Sequence, residues 1–118
     1  MASSTPIQPG AHWSEQWQIL TYVGLAEDLT DADLEWVLED LEGTVILSLN
    51  NTANASSFGL FDGDGASSAS GPYARVTLDD SQTDGIATGR YRHQLTATLS
   101  TGVVIKSQVH PLTVSEVL

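Results

Sequence analysis

From Trp13 onward apolar and polar residues alternate, with Trp13, Glu15, Trp17 and Ile19 on one parity and Ser14, Gln16, Gln18, Leu20 and Tyr22 on the other. A period of two marks a strand with one buried face, so Trp17 and Ile19 are expected to point into a core. The clearest such run is Tyr91 to Leu99, where Tyr91, His93, Leu95, Ala97 and Leu99 alternate with Arg92, Gln94, Thr96 and Thr98. Shorter runs follow at Val45 to Leu49, Phe58 to Phe61, Ala74 to Leu78 and Val103 to Val109. Thr101-Gly102 is expected to close a two-residue hairpin before the last of these, since glycine takes positive φ freely. Pro111 cannot donate to a ladder, which makes Leu112 to Val117 an edge or a kinked continuation.

Small polar residues separate the runs. Asn50 to Ser57 reads as a turn, Asp62 to Gly71 as a mobile loop too poor in apolar groups to pack, and Asp79 to Thr88 as a connection bent at Gly85 and Gly89. Asp28 to Leu49 reads two ways. Leu34, Val37, Leu38 and Leu41 fit a helical stripe behind a Thr30-x-x-Asp33 start, and the local pattern alone leans that way. The same stretch also fits a strand with Leu34, Trp36 and Leu38 inward, Asp33, Glu35 and Glu39 outward, and a turn at Glu42-Gly43. Met1 to Gly10, Ser-rich with Pro6 and Pro9, has no period and is expected to be an arm preceding a domain over residues 11–118. About seven short strands in one core-sized chain predict an all-β antiparallel sandwich. Its expected core is Trp17, Ile19, Trp36, Leu38, Leu78, Tyr91, Leu95 and Val104.

Several devices recur in a familiar order: Gly10-x-x-Trp13 with Trp17, Asp28-Leu29-Thr30 followed by Ala32, Val76-x-Leu78 with Thr83, Gly89-x-Tyr91-Arg92-x-x-Leu95, Thr101-Gly102, and Leu112-Thr113-Val114. Over roughly Gly10 to Val114 the chain resembles the small immunoglobulin-like β-sandwich domains of tailed-phage virion proteins. The resemblance implies an Ig-like sandwich in which Ala32 to Asp40 is a strand, and with the surrounding β pattern it decides against the helix. It further implies a non-enzymatic structural protein of the phage particle, assembled in the bacterial host cytoplasm, without catalytic residues or cofactor. The implied setting is a tail-tip, baseplate or fibre-attachment component, with a head decoration (cement) protein as the alternative. Its implied partners are other virion proteins, of the tail and baseplate or the major capsid protein, together with copies of itself.

Charge narrows the partners further. Fifteen Asp and Glu against four Lys and Arg give a formal net charge of −11 over 118 residues. Such a chain repels phosphate backbones and anionic lipid alike, so neither nucleic acid nor a membrane surface is expected as a partner. Without cysteine there are no disulfides, thiolate nucleophiles or Cys-based metal sites. The opening residues have neither a basic nor an apolar signal region, and no apolar run approaches the ~20 residues of a membrane span, so no secretion signal or membrane insertion is expected.

Candidate chemistry is sparse. Between Glu27 and Glu42 stand eight carboxylates, Glu27, Asp28, Asp31, Asp33, Glu35, Glu39, Asp40 and Glu42, and no base. Asp31, Asp33, Glu35 and Glu39 are expected to form an acidic surface facing solvent or a basic neighbour. In the arm, Pro6, Ile7 and Pro9 offer an extended segment to lie across a partner, and removing residues 1–9 is expected to leave the domain folded. Asp62-Gly63-Asp64-Gly65 places alternating carboxylates on a glycine turn, a weak candidate for a hard cation. The calcium-loop template then fails at Ala66, Ser67 and Tyr73, so no metal is assigned. His12, His93 and His110 lie at no ligand-pair spacing, and His93 reads as a packed histidine. A carbohydrate- or calcium-binding β-module using Trp13, Trp36 and Asp62 to Asp64 is the reading from a different class.

Overall fold

The computed structural model describes residues 5–19 and 28–115. Met1 to Ser4 of the arm, the alternation at Leu20 and Tyr22, Glu27 and the expected end at Val117 lie outside the described residues. Among the described residues, eight strands, one short α-helix and a 3-10 turn at Ala55–Ser57 follow in order: β1 (Trp13–Gln18), β2 (Asp33–Asp40), β3 (Val45–Asn50), β4 (Phe58–Phe61), β5 (Tyr73–Leu78), α1 (Asp80–Asp84), β6 (Gly89–Thr98), β7 (Val104–Lys106) and β8 (His110–Val114). They form two antiparallel sheets, one ordered β1-β5-β4 and the other β3-β2-β6-β7, with β8 also paired to β6. Their inner faces meet in one core, built from Trp13, Trp17, Ala74, Val76 and Leu78 on one side and Leu34, Trp36, Leu38, Tyr91, Leu95, Ala97 and Leu112 on the other. This is the expected all-β sandwich.

The segment that read two ways is a strand. β2 lies between β3 and β6, so its backbone is hydrogen-bonded on both sides. A helix with its stripe on Leu34, Val37, Leu38 and Leu41 would have turned Trp36 away from the core. As a strand it buries Leu34, Trp36 and Leu38 and leaves Leu41 58% exposed in the turn. At its start, Asn51 accepts the Leu34 N–H on Oδ1 and donates from Nδ2 to the Ala32 carbonyl.

Two devices lock the sandwich near α1. Asp79 accepts the Gln82 N–H at 2.8 Å while the Gln82 side chain accepts the Asp79 N–H at 2.9 Å, a capping box that starts a helix where only bends were expected. Thr83, wholly buried on that helix, accepts from Gly10 N and donates to the Ala11 carbonyl. Just beyond, the Tyr91 hydroxyl donates back to the Ala87 carbonyl at 2.6 Å, the tyrosine corner of immunoglobulin-like sandwiches.

Three expectations need correction. The hairpin between β6 and β7 has a three-residue loop, Ser100, Thr101 and Gly102, closed by Gly102 N to Leu99 O and Leu99 N to Val103 O, both 2.8 Å. Gly102 at φ +93° supplies the left-handed residue that such a loop needs. The extra residue pairs Val104 with outward-facing Thr98, so Val104 is 54% exposed while Ile105 turns inward opposite Ala97. Nor is the expected Val103 to Val109 run continuous. β7 and β8 pair with the same edge of β6, and Ser107 breaks between them, its N–H on Leu95 O and its hydroxyl accepting from Leu95 N. Finally, Ile7 is not a free anchor. It is fully buried, bridges Val114 in parallel, donates to Thr113 O and accepts from Ser115 N, so this part of the arm packs on the sandwich beside β8.

Candidate docking surface

The outer face of the β3-β2-β6-β7/β8 sheet gathers three of the seven residues singled out for docking, Asp33, Glu35 and Glu39. The parity that buries Leu34, Trp36 and Leu38 turns Asp33, Glu35, Val37 and Glu39 outward. The same rule on β6 turns out Arg90, Arg92, Gln94, Thr96 and Thr98, and pairing with Thr96 puts Lys106 on this face. The chain's cations, apart from Arg75, are therefore all here. The surface expected to be acidic is instead balanced, with Asp33, Glu35 and Glu39 on β2 matched in number by Arg90, Arg92 and Lys106 on β6 and β7. That correction follows from strand order, since β6 comes to lie beside β2 from more than fifty residues away.

Glu39 and Arg92 are directly opposite in the β2–β6 register, and Arg92 Nε donates to Glu39 Oε1. The guanidinium also reaches over the β2–β3 turn, where a Cβ on Gly43 would lie 3.7 Å from Nη2. Both side chains stay partly solvated, so the pair contributes at most about 1 kcal/mol. Beside it runs a groove of about 210 Å³ lined by Glu35, Val37, Glu39, Arg92, Thr96, Lys106 and Val109. Val109 in its lining is 52% exposed, and elsewhere on the same sheet Ile46 and Val104 are 41% and 54% exposed.

The remaining candidates are dispersed. Asp31 sits in the turn before β2 with φ +58°, away from the groove. Pro6 is exposed and Pro9 half-buried on either side of buried Ile7. Asp62 Oδ1 accepts the N–H groups of Asp64 and Ala66, so this carboxylate caps its own turn. The loop beyond folds back on β4, with Ser68 N on the Leu60 carbonyl and a bridge between Phe61 and Ser67. No three His, Asp or Glu side chains converge as a metal ion would require, among the described residues.

One polar cluster could not be read from spacing. His93 is buried in the core and its Nδ1 accepts the Trp36 indole N–H at 2.9 Å. In the neutral ring the proton therefore sits on Nε2, which faces Glu15 Oε2 at 3.6 Å. Trp13 and Trp17 set their rings against the imidazole, and His110, its β8 partner, stands 6.1 Å away. Burial first, and the neighbouring His110 second, push the His93 pKa down to about 4. With one nitrogen committed to Trp36, the ring is a structural element joining the sheets.

No family model matches the sequence, and no characterised protein does. Among solved structures the chain is similar to the fibronectin(III)-like modules of Clostridium thermocellum CbhA, with 17% identity and a TM-score of 0.50. The match covers 98% of this chain and 43% of that one. The chain is thus an immunoglobulin-like, fibronectin(III)-like β-sandwich.

Proposed function

We propose that the chain is a non-enzymatic docking module of a tailed-phage particle, at the tail tip, baseplate or fibre attachment in the first instance and on the head surface in the second. The observation that carries docking is the outer face of the five-stranded sheet, where paired charges border a shallow groove and exposed valines. Mixed charge around an apolar centre is the composition of protein interfaces, and it gives orientation as well as contact. The particle setting rests on the resemblance of the sequence motifs to virion sandwich domains. Mass spectrometry of particles purified from the encoding host, with antibody labelling under the electron microscope, tests it. The chain is expected in stoichiometric amount at one location, and its absence from purified particles overturns the reading.

A further inference from the structure

We infer that the partner of this face is a second copy of the chain, bound about a two-fold axis that runs along β6. The inference rests on the docking reading and adds the identity of the occupant. Glu35 pairs with Thr96 and Thr96 with Lys106, so the three form one row across the sheet. The next row contains Val37 and Gln94, and continuing the β8 register by one residue puts Val109 level with them. These two central rows thus have an acid or a valine on the β2 side and its counterpart on the β7/β8 side.

A two-fold along β6 exchanges those sides while keeping each row at its own height. Glu35 then meets Lys106 of the second copy, and Lys106 meets its Glu35. Val37 meets the second Val109, and Thr96 and Gln94 face their own equivalents. Such an isologous contact makes the Glu35–Lys106 pair twice, while Asp33, level with Thr98 and Val104, meets the second Val104. Arg90 and Arg92, both on β6, lie along the axis and face their own equivalents, Arg92 with its charge offset by Glu39 and Arg90 at the open end of the strand. Neither Glu35 nor Lys106 has an ion-pair partner among the described residues, so both are free to make this contact. A two-fold across the strands would instead stack β2 on β2, acid on acid.

Net charge excludes most other self-contacts. The unbalanced acids lie off this face, Asp28, Asp31, Glu42, Asp62 and Asp64 in turns and loops, Asp40 at the end of β2, and Asp79, Asp80 and Asp84 at α1. Two copies at −11 each repel through those regions. The outward face of the β1-β5-β4 sheet carries Arg75 without an acid to complement it. Four strands at ~4.8 Å spacing and the length of β2 give a footprint of about 500 Å² per copy, at the lower end of specific interfaces. The dimer is accordingly weak and fills at the local concentrations of an assembly.

Charge exchange tests it on the purified full chain by sedimentation velocity over a concentration series at low salt, with circular dichroism to confirm folding. The wild type is expected to dimerise as concentration rises. Glu35→Lys and Lys106→Glu should each weaken association at least about tenfold, and the double exchange should recover it. A wild type that stays monomeric, single exchanges without effect, or a double exchange that fails to recover overturns the two-fold. The outcome is independent of whether the chain is found in particles, so failure here and failure of the docking reading are told apart.

Discussion

Trp36 donates its indole N–H to Nδ1 of His93, a 2.9 Å bond between side chains fifty-seven residues apart in sequence and on neighbouring strands. The bond holds one ring nitrogen unprotonated, and burial keeps the other from acquiring a positive charge at neutral pH. Glu15, facing Nε2, favours the charged ring but does not overcome the desolvation. In the unfolded chain His93 takes a proton near 6.5, in the fold near 4. Between those values the unfolded state binds the extra proton, so this contribution is complete above pH 6.5 and lost as pH falls to about 4. It amounts to roughly 3 kcal/mol. An imidazole titration by NMR should place His93 near pH 4 and Glu15→Gln should place it lower; a midpoint at or above 6.5 contradicts the assignment.

Asp28 and Asp79 act in a separate, more acidic window. Hydrogen bonds from Thr30 to Asp28, and from Gln82 and Ser81 to Asp79, hold both carboxylates below the usual 3.8. Their contribution is present above 3.8 and disappears below it.

Removing the Tyr91 hydroxyl tests the corner that closes the α1 to β6 connection. Tyr91→Phe keeps the buried ring and loses only the bond to Ala87 O. The expected loss is about 1 kcal/mol in chemical denaturation, because the exposed Ala87 carbonyl is then taken up by water. No change would mean that the hydroxyl does not lock the connection.

Ile7 decides whether the arm belongs to the fold. Its side chain is fully buried and its backbone is paired with β8, so Ile7→Ala should cost about 2–5 kcal/mol. Deleting residues 1–9 should lower the melting temperature as well, the opposite of what a free arm gives. An unchanged melting temperature after either change contradicts the docked position of Ile7.

The inward parity of β6 and the outward parity of β7 predict unequal responses. Leu95→Ala removes a wholly buried side chain and should cost about 2–5 kcal/mol. Val104→Ala, at 54% exposure, should stay within about 0.5 kcal/mol. Equal losses would mean that the hairpin register is wrong.

What the sequence made legible follows its local periods. The alternation of β6 was readable from Tyr91 on, though not its start at Gly89, and so was the inward Trp17 of β1, whereas Trp13 was not placed in the core. β2 was ambiguous because Leu34 and Leu38 satisfy both a period of two and a helical stripe; only neighbours on both sides, absent from a local window, make it a strand. The capping box at Asp79-x-x-Gln82 was present as a pattern and passed over among the bends. Val104 was misplaced by one residue of loop length, which reverses every side chain after it. Ile7, a lone apolar residue between prolines, has no period at all, and its place is fixed by a strand more than a hundred residues away. The candidate face suffered the same limit. Its carboxylates were visible as a run, but their matching cations lie in the second half of the chain, so balance looked like acidity.

Backbone amide shifts recorded from dilute to millimolar protein, at low and at high salt, test the self-complementary face most directly. The predicted result is concentration-dependent shifts at Glu35, Val37, Gln94, Lys106 and Val109 that fade with salt, with Gln16 and Arg75 on the opposite sheet unmoved. Shifts confined to Gln16 and Arg75 or to the turns, or none at any concentration, would contradict it.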